Sequence, residues 1–440
     1  MVTLYKNKSR SSAQFAAKLL CVLLACVSSL QLQSMYNSNF FRPQDVAFLP
    51  VSELGARKFI AGAFVEYGLA STQGYDGDGK LTDLFKIYTP HQSSQSMLSD
   101  SVIMFPEAED PEQWFVNSAQ QTFNDSWGTF NVSGKFQQSN VTFWLKGAIP
   151  APESVPGIFS VSAYLPVKAI HIDDIAWTDL SNKYTLGGEE RMSGFTSRLQ
   201  DFVTSVGGLD LHRCNRVGQG DLTVMLDWEN TFKQDLDLIK QIKLEAGVGV
   251  LVPTARTTDS DINQIFAVPL GSGSAWGIPA KASLEAGVHS MASVGFAVDM
   301  LWLSDITKAR RLKTAVDQTD YLLLSKGRVR HQHARTWRFS LFSRIKSPIE
   351  GLSLAAFYHF VKTGDDTLVP ENNTFSNAVI NSQEALKEKS SHDLVFRASF
   401  ARENIGWFTA PAISGFIKIP VGGCRMAKSL NWGGEFGFAF

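Results

Sequence analysis

His331 and His333, two residues apart, are the nearest this sequence comes to a metal-binding pattern. Imidazole nitrogens suit zinc and its neighbours, but a site needs three or four ligands. No third ligand stands at a metal-ligand spacing beside the pair, so the sequence predicts no metal. YDGDGK (75–80) is similar to part of a calcium loop but lacks the spaced carboxylates and the closing glutamate. His289 followed by Ser290 is the one His-Ser step, and it falls in a short turn with no accompanying nucleophile or orienting motif. No catalytic residue and no cofactor are therefore expected, and the chain reads as a non-enzyme. Around the histidine pair lie Lys308, Arg310, Arg311, Lys313, Lys326, Arg328, Arg330 and Arg335. They are expected to form a solvated basic loop, which outside an outer membrane would meet lipopolysaccharide phosphates.

A second set of reactive groups is spread out rather than clustered. Asp221, Asp227, Glu229, Lys243, Glu245, Lys281, Glu285, Asp299, Arg338, Arg344, Lys346, Arg397 and Glu435 each sit one residue from an apolar neighbour. The two signs are interspersed. That suits a wet inner wall stiffened by ion pairs better than a single-sign ring selecting an ion. Glu229 and Lys243 are expected to face one another across one hairpin. Phe342, Phe357, His359 and Phe416 fall on the same inward face, either as an apolar patch for a hydrophobic cargo or as packing against a plug.

The element that positions such groups is a strand, whose side chains alternate between two faces. GDLTVMLDWE (220–229) sets Leu222, Val224, Leu226 and Trp228 against Asp221, Thr223, Met225, Asp227 and Glu229. TWRFSLFSRIK (336–346) sets Trp337, Phe339, Leu341 and Ile345 against Arg338, Ser340, Arg344 and Lys346. About twelve such segments recur, near 58–69, 134–149, 156–172, 219–231, 240–252, 278–289, 291–303, 335–347, 351–363, 391–402, 410–420 and 430–440. Several reach the nine to eleven residues that a tilted transmembrane strand needs. The connections alternate between short and mostly long, as the periplasmic turns and external loops of an outer-membrane barrel do. EERMSGFTSRLQDFV (189–203), inside one long connection, has helical spacing.

The expected fold is therefore all-β, a transmembrane antiparallel up-and-down β-barrel of about twelve strands with long extracellular loops. The closing NWGGEFGFAF carries Trp432, Phe436, Phe438 and Phe440 on one face, the pattern of an outer-membrane assembly signal read by the barrel-assembly machinery. Residues 1–34 read as a signal peptide, with basic residues followed by the apolar LLCVLLACVSSL (19–30). Cleavage after Ser29 or Ser34, or lipidation at Cys26, stays open. Residues 35–57 form an N-terminal tail or partial plug, and 58–440 the barrel. A formal net charge of -1 excludes an electrostatic nucleic-acid binder. Cys214 and Cys424 are the two cysteines beyond the signal, and either a bridge or two separate thiols is compatible with their spacing.

GQGDLTVMLDWENTF and LEAGVGVLVPTA, between 218 and 255, resemble a strand pair of an outer-membrane family named for phenol meta-cleavage pathways and related to the long-chain fatty-acid transporters. Gly218, Gly220, Asp221 and Leu222 match the first part of its pattern. Val252, Pro253 and Thr254 match the second, and Ala255 replaces a final glycine. The resemblance implies a structural motif in the fold and uptake of small hydrophobic compounds. The expected function is an outer-membrane channel for passive uptake of small hydrophobic molecules, with outer-membrane lipid, lipopolysaccharide and the solute as partners. The alternatives are a structural or surface-interaction barrel, or a general diffusion porin.

Overall fold

The computed structural model describes residues 59–93, 129–150, 155–180, 214–234, 239–256, 268–289, 291–401 and 411–439, with a few positions between 201 and 212. The expected signal, the tail or plug, most of the 189–203 helix, and Phe440 lie outside the described residues.

Twelve antiparallel strands close into a ring. They are β1 (Phe59–Gly68), β2 (Thr129–Ile149), β3 (Ile158–Asp179), β4 (Leu222–Lys233), β5 (Gln241–Val252) and β6 (Gly277–His289). They continue as β7 (Ala292–Leu303), β8 (Thr336–Lys346), β9 (Leu352–Thr363), β10 (Lys389–Ala401), β11 (Pro411–Cys424) and β12 (Asn431–Ala439). Each strand pairs with its chain neighbours, and β1 pairs with β12 through Ile60 opposite Ala439 and Gly68 opposite Asn431. Closure leaves no edge, so every ring strand has ladder partners on both sides. No described helix is long and apolar enough to cross a membrane, which says nothing of strands.

The two faces of the wall divide by chemistry. Leu226, Val248, Leu284, Phe296, Leu341, Leu354, Phe396, Ile413 and Phe436 are exposed on the outside of their strands. Their inward neighbours Asp227, Asp299, Ser340, Ser414 and Glu435 are buried. A belt of exposed apolar side chains around a whole circumference far exceeds what a water-facing monomer tolerates. It calls for an apolar surrounding. Trp276, Trp302, Tyr67 and Trp432 are exposed at the end with the long connections, where amphipathic rings mark an interface.

The long connections do not hang free. Residues 304–335 hold a hairpin (Ile306–Arg311 with Lys326–Gln332) that takes Thr367–Pro370 as a third strand. Gln73–Tyr75 pairs with both Leu81–Asp83 and Met426–Ala427. β2 and β3 run 21 and 22 residues, past the expected bounds. Their far halves carry Phe130, Val132, Phe136, Ile170 and Ile172 into one apolar core with Leu84, Phe85, Tyr321, Leu322 and Leu324. This core makes a packed cap at the long-loop end. The strand Cys214–Gln219 pairs with the upper part of β3 and is broken from β4 at Gly220 and Asp221.

Candidate functional site

Most of the charges that period-two alternation assigns to the inner face are paired with a charge on another strand. Lys281 Nζ lies 2.6 Å from Glu245 Oε1 and 3.2 Å from Asp227 Oδ1. Arg338 Nε lies 2.5 Å from Asp299 Oδ2, and Arg344 Nη1 lies 3.1 Å from Glu285 Oε2. Arg397 pairs with Glu435 on the strand but one beyond it. Lys146 Nζ reaches Glu229 Oε2 at 3.6 Å, and Lys418 reaches Glu66 and Asp393, each at 3.9 Å. These are lumen charges neutralised across neighbouring strands, where the low dielectric strengthens each pair.

The expected facing of Glu229 and Lys243 is displaced by two residues. The β4–β5 turn is closed by Gln234 N donating to Lys240 O at 3.0 Å. In that register Glu229 faces Glu245, and Lys243 faces Thr231. Lys146, which the sequence reading did not single out, supplies the cation for Glu229.

Aromatic rings occupy the rest of the interior. Phe416 stacks on Phe64 with centroids 5.1 Å apart. Ile60, Phe64, Trp144, Tyr164 and Met225 form one buried cluster, with Phe416 packed against it. Phe342 and Phe357 lie 5.7 Å apart, and Phe357 stacks on His359 at 5.6 Å. His359 Nδ1 is 2.7 Å from Ser340 Oγ. The rings fit because neighbouring strands present glycine. A Cβ on Gly433 would stand 2.9 Å from the Phe416 ring, and one on Gly295 would strike Phe342. That accounts for glycines alternating with aromatics at the end of the chain. Trp432, Phe436 and Phe438 point outward, while Gly433 clears an inward ring and Glu435 is held by Arg397.

The Gly-Asp-Leu and Val-Pro-Thr segments meet as a clasp at the rim. Leu222 pairs with Val252, Leu222 N donates to Thr254 Oγ1 (3.0 Å), and Thr254 Oγ1 donates to Gly220 O (2.9 Å). Asp221 is therefore not a lumen charge. Its carboxylate accepts from Ala255 N (3.0 Å) and Ser272 N (2.5 Å), tying both ends of the long β5–β6 connection to β4. Gly218 and Gly220 have ordinary backbone angles, so their smallness serves close approach. A Cβ would meet Leu270 at 2.8 Å and Pro166 at 2.7 Å respectively. Pro253 sits next to Thr254 just past the end of β5.

The basic stretch around the histidines differs most from expectation. Arg310, Arg311, Lys313 and His331 are buried. Arg311 Nη1 donates to Leu323 O (3.2 Å) and Leu324 O (3.0 Å). Lys313 Nζ lies 3.2 Å from Asp320 Oδ1, whose Oδ2 accepts from Ala385 N. Burial pushes the Asp320 carboxyl up, against the pull of Lys313. Arg328 and Arg330 remain exposed as expected. The expected absence of a third metal ligand also changes, because Asp366 joins His331 and His333. His331 Nε2 lies 3.1 Å from Asp366 Oδ2. Burial opposes the charge on Asp366, but that hydrogen bond and the cations nearby hold it well below the usual carboxylate range. In YDGDGK, Asp76 Oδ1 instead accepts from Asp78 N and Lys80 N, which closes the turn. Cys214 and Cys424 are free thiols.

Between wall and cap lies a small cavity of ≈ 60 Å³, lined from the wall by Leu251, Leu301, Leu303, Thr336, Thr363 and Lys389, and from above by Ser272, His333 and Asp366.

No protein-family model matches the chain, and no curated protein does. Among solved structures it is similar to an outer-membrane channel from Pseudomonas putida F1, at 11% identity and TM-score 0.48, over 90% of this chain and 98% of that one. It is also similar to the transport unit of the autotransporter AIDA-I from Escherichia coli, at 8% identity and TM-score 0.39, over 92% and 99%. It is similar as well to the P. putida toluene transporter TodX, at 9% identity and TM-score 0.33, over 93% of this chain and 96% of that one. At these scores the likenesses carry no weight on function, and the twelve-strand ring rests on its own ladder.

Proposed function

We propose that the chain is an outer-membrane channel that takes up small uncharged apolar molecules, and that the conformation described is its occluded state. The observation that carries this reading is the inner wall, where charges are neutralised in pairs around the aromatic rings of Phe64, Phe416, Phe342 and Phe357. Such a wall offers an ion no net field to follow. An apolar solute gains about 25 cal/mol for each Å² withdrawn from water, enough for weak contact without trapping. Outer-membrane location is supported by the apolar belt, the interfacial Trp and Tyr residues, and the signal-like start of the chain. Passage requires the cap to shift, because its core covers the mouth. Lipopolysaccharide contact then falls to the exposed Arg328 and Arg330, and assembly to the aromatic end of β12.

A second reading is favoured by one observation. Lys146, Trp144, Tyr164 and Thr223 are buried within the lumen, as in a structural or surface-interaction barrel with no cargo. That same filling speaks against a general diffusion pore. The test is permeation of a radiolabelled aromatic compound into proteoliposomes holding the folded protein, beside Phe357→Asp and protein-free vesicles. Faster entry with the wild type, lost in Phe357→Asp, supports the channel. Equal entry in all three, with folding verified by heat-modifiable gel mobility, favours the structural reading.

A further inference from the structure

We infer that His331, His333 and Asp366 form a binding site for a zinc-like divalent transition metal that fastens two long loops of the cap together. One donor atom from each of the three lies within 4.8 Å of the others. His331 stands in the cap strand Lys326–Gln332, opposite Ile306 and Leu368. His333 follows two residues on, just past the strand end, and its ring turns to the same side as that of His331. The two rings lie 3.7 Å apart between centroids. Asp366 comes from the β9–β10 loop, and its Oδ1 accepts from Ala334 N at 2.9 Å. That bond holds the carboxylate beside the histidine segment independently of any metal.

The distances suit a metal shell. Bonds of about 2.0–2.2 Å from zinc to imidazole nitrogen and carboxylate oxygen put neighbouring tetrahedral donors roughly 3.4 Å apart. His331 Nε2 and Asp366 Oδ2 are already 3.1 Å apart. The remaining closure falls on His333, which lies just beyond the strand end at Gln332 and is half-buried. His333 and Asp366 also line the mouth cavity. Three protein ligands would therefore leave a fourth position facing a space large enough for water.

Charge decides which metal. Lys389 and Arg310 both act on Asp366, so a hard cation held by carboxylate charge alone is disfavoured. Two imidazoles select a metal that bonds nitrogen, such as zinc, nickel or copper, over calcium or magnesium. Because the ligands come from the β7–β8 and β9–β10 connections, the bound ion would cross-link them and hold the cap closed.

The experiment uses the full chain without a polyhistidine tag, folded in detergent, stripped with chelator and titrated with ZnCl₂. About one equivalent should bind, calcium should not compete, and proteolysis within 312–325 should slow on binding. His333→Ala should weaken zinc at least about tenfold, and His333→Cys, which keeps a zinc ligand, should restore part of it. A His171→Ala/His212→Ala double variant should bind as the wild type does. His333 is half-buried and outside the strand, so its variants keep the test valid if His331→Ala fails to fold. No zinc binding, or binding unchanged in His333→Ala, would overturn the site and leave a hydrogen-bonded His–Asp pair. Zinc bound with cap proteolysis unchanged would overturn the fastening role.

Discussion

The barrel wall and the cap teach opposite lessons about the same chain. In the wall, large apolar side chains such as Leu226 and Leu341 are exposed, and charges such as Asp299 and Glu435 are buried. In the cap the core is apolar, as in a water-soluble domain, with Leu84, Phe85 and Tyr321 inside. The wall is inverted relative to the cap, as a surface turned to an apolar surrounding around a polar interior would be. The cap is built for water on its outside. Both regions bury charged groups, but the wall pairs them between strands that are adjacent or one apart. The cap pairs them between distant loops, as Lys313 does with Asp320 and His331 with Asp366.

The largest effect that separates the regions should come from Tyr321→Ala. Its ring packs against Phe85 and Tyr88, and removing a buried aromatic of this kind costs about 3–5 kcal/mol. The loss should fall on the cap alone, read as faster proteolysis of 312–325 while the folded barrel still migrates ahead of the boiled one. Leu226→Arg should do the reverse. A charge on the lipid face near the midplane costs about 2–4 kcal/mol, read as a lower melting temperature of the gel-shifted form. If both variants destabilised both regions equally, the division would be wrong.

The clasp where the regions join can be probed by Asp221→Ala. It leaves Ala255 N and Ser272 N without their carboxylate, and a hydrogen bond to a charged group contributes about 1.5–3 kcal/mol. Hydrogen exchange should quicken at Ala255 and Ser272 and change little in β7. The smallest effect concerns the thiols. Burial pushes the Cys214 thiol up to about 11, so its reactive thiolate is scarce at pH 8 and grows as pH rises toward that value. Alkylation at pH 8 should label Cys424 first, and loosening the cap by Tyr321→Ala should bring Cys214 forward.

The wall was legible because its signal is local. Alternation over 241–252 or 336–346 needs no knowledge of the rest of the chain, and the strand bounds there agree within a residue or two. The cap was not, since KGRVRHQ (326–332) is a strand whose partners are Ile306–Arg311 and Thr367–Pro370. Nothing in those seven residues signals that Arg310 and His331 will be buried. The carboxylate that meets the histidines lies more than thirty positions later, at Asp366. Thr223 shows a finer limit. Alternation placed it on the inner face, but its burial there means that Thr223→Arg would clash with the packed interior rather than face an open pore.

The inversion of the wall can be tested with two single-tryptophan variants, one keeping Trp432 on the outside and one keeping Trp144 within the lumen. Each is folded into bilayers whose acyl chains carry bromine, a contact quencher of indole fluorescence. Strong quenching of Trp432 with Trp144 spared is the expected result; equal quenching, or a quenched Trp144 beside an unaffected Trp432, would contradict a barrel with its apolar face in lipid.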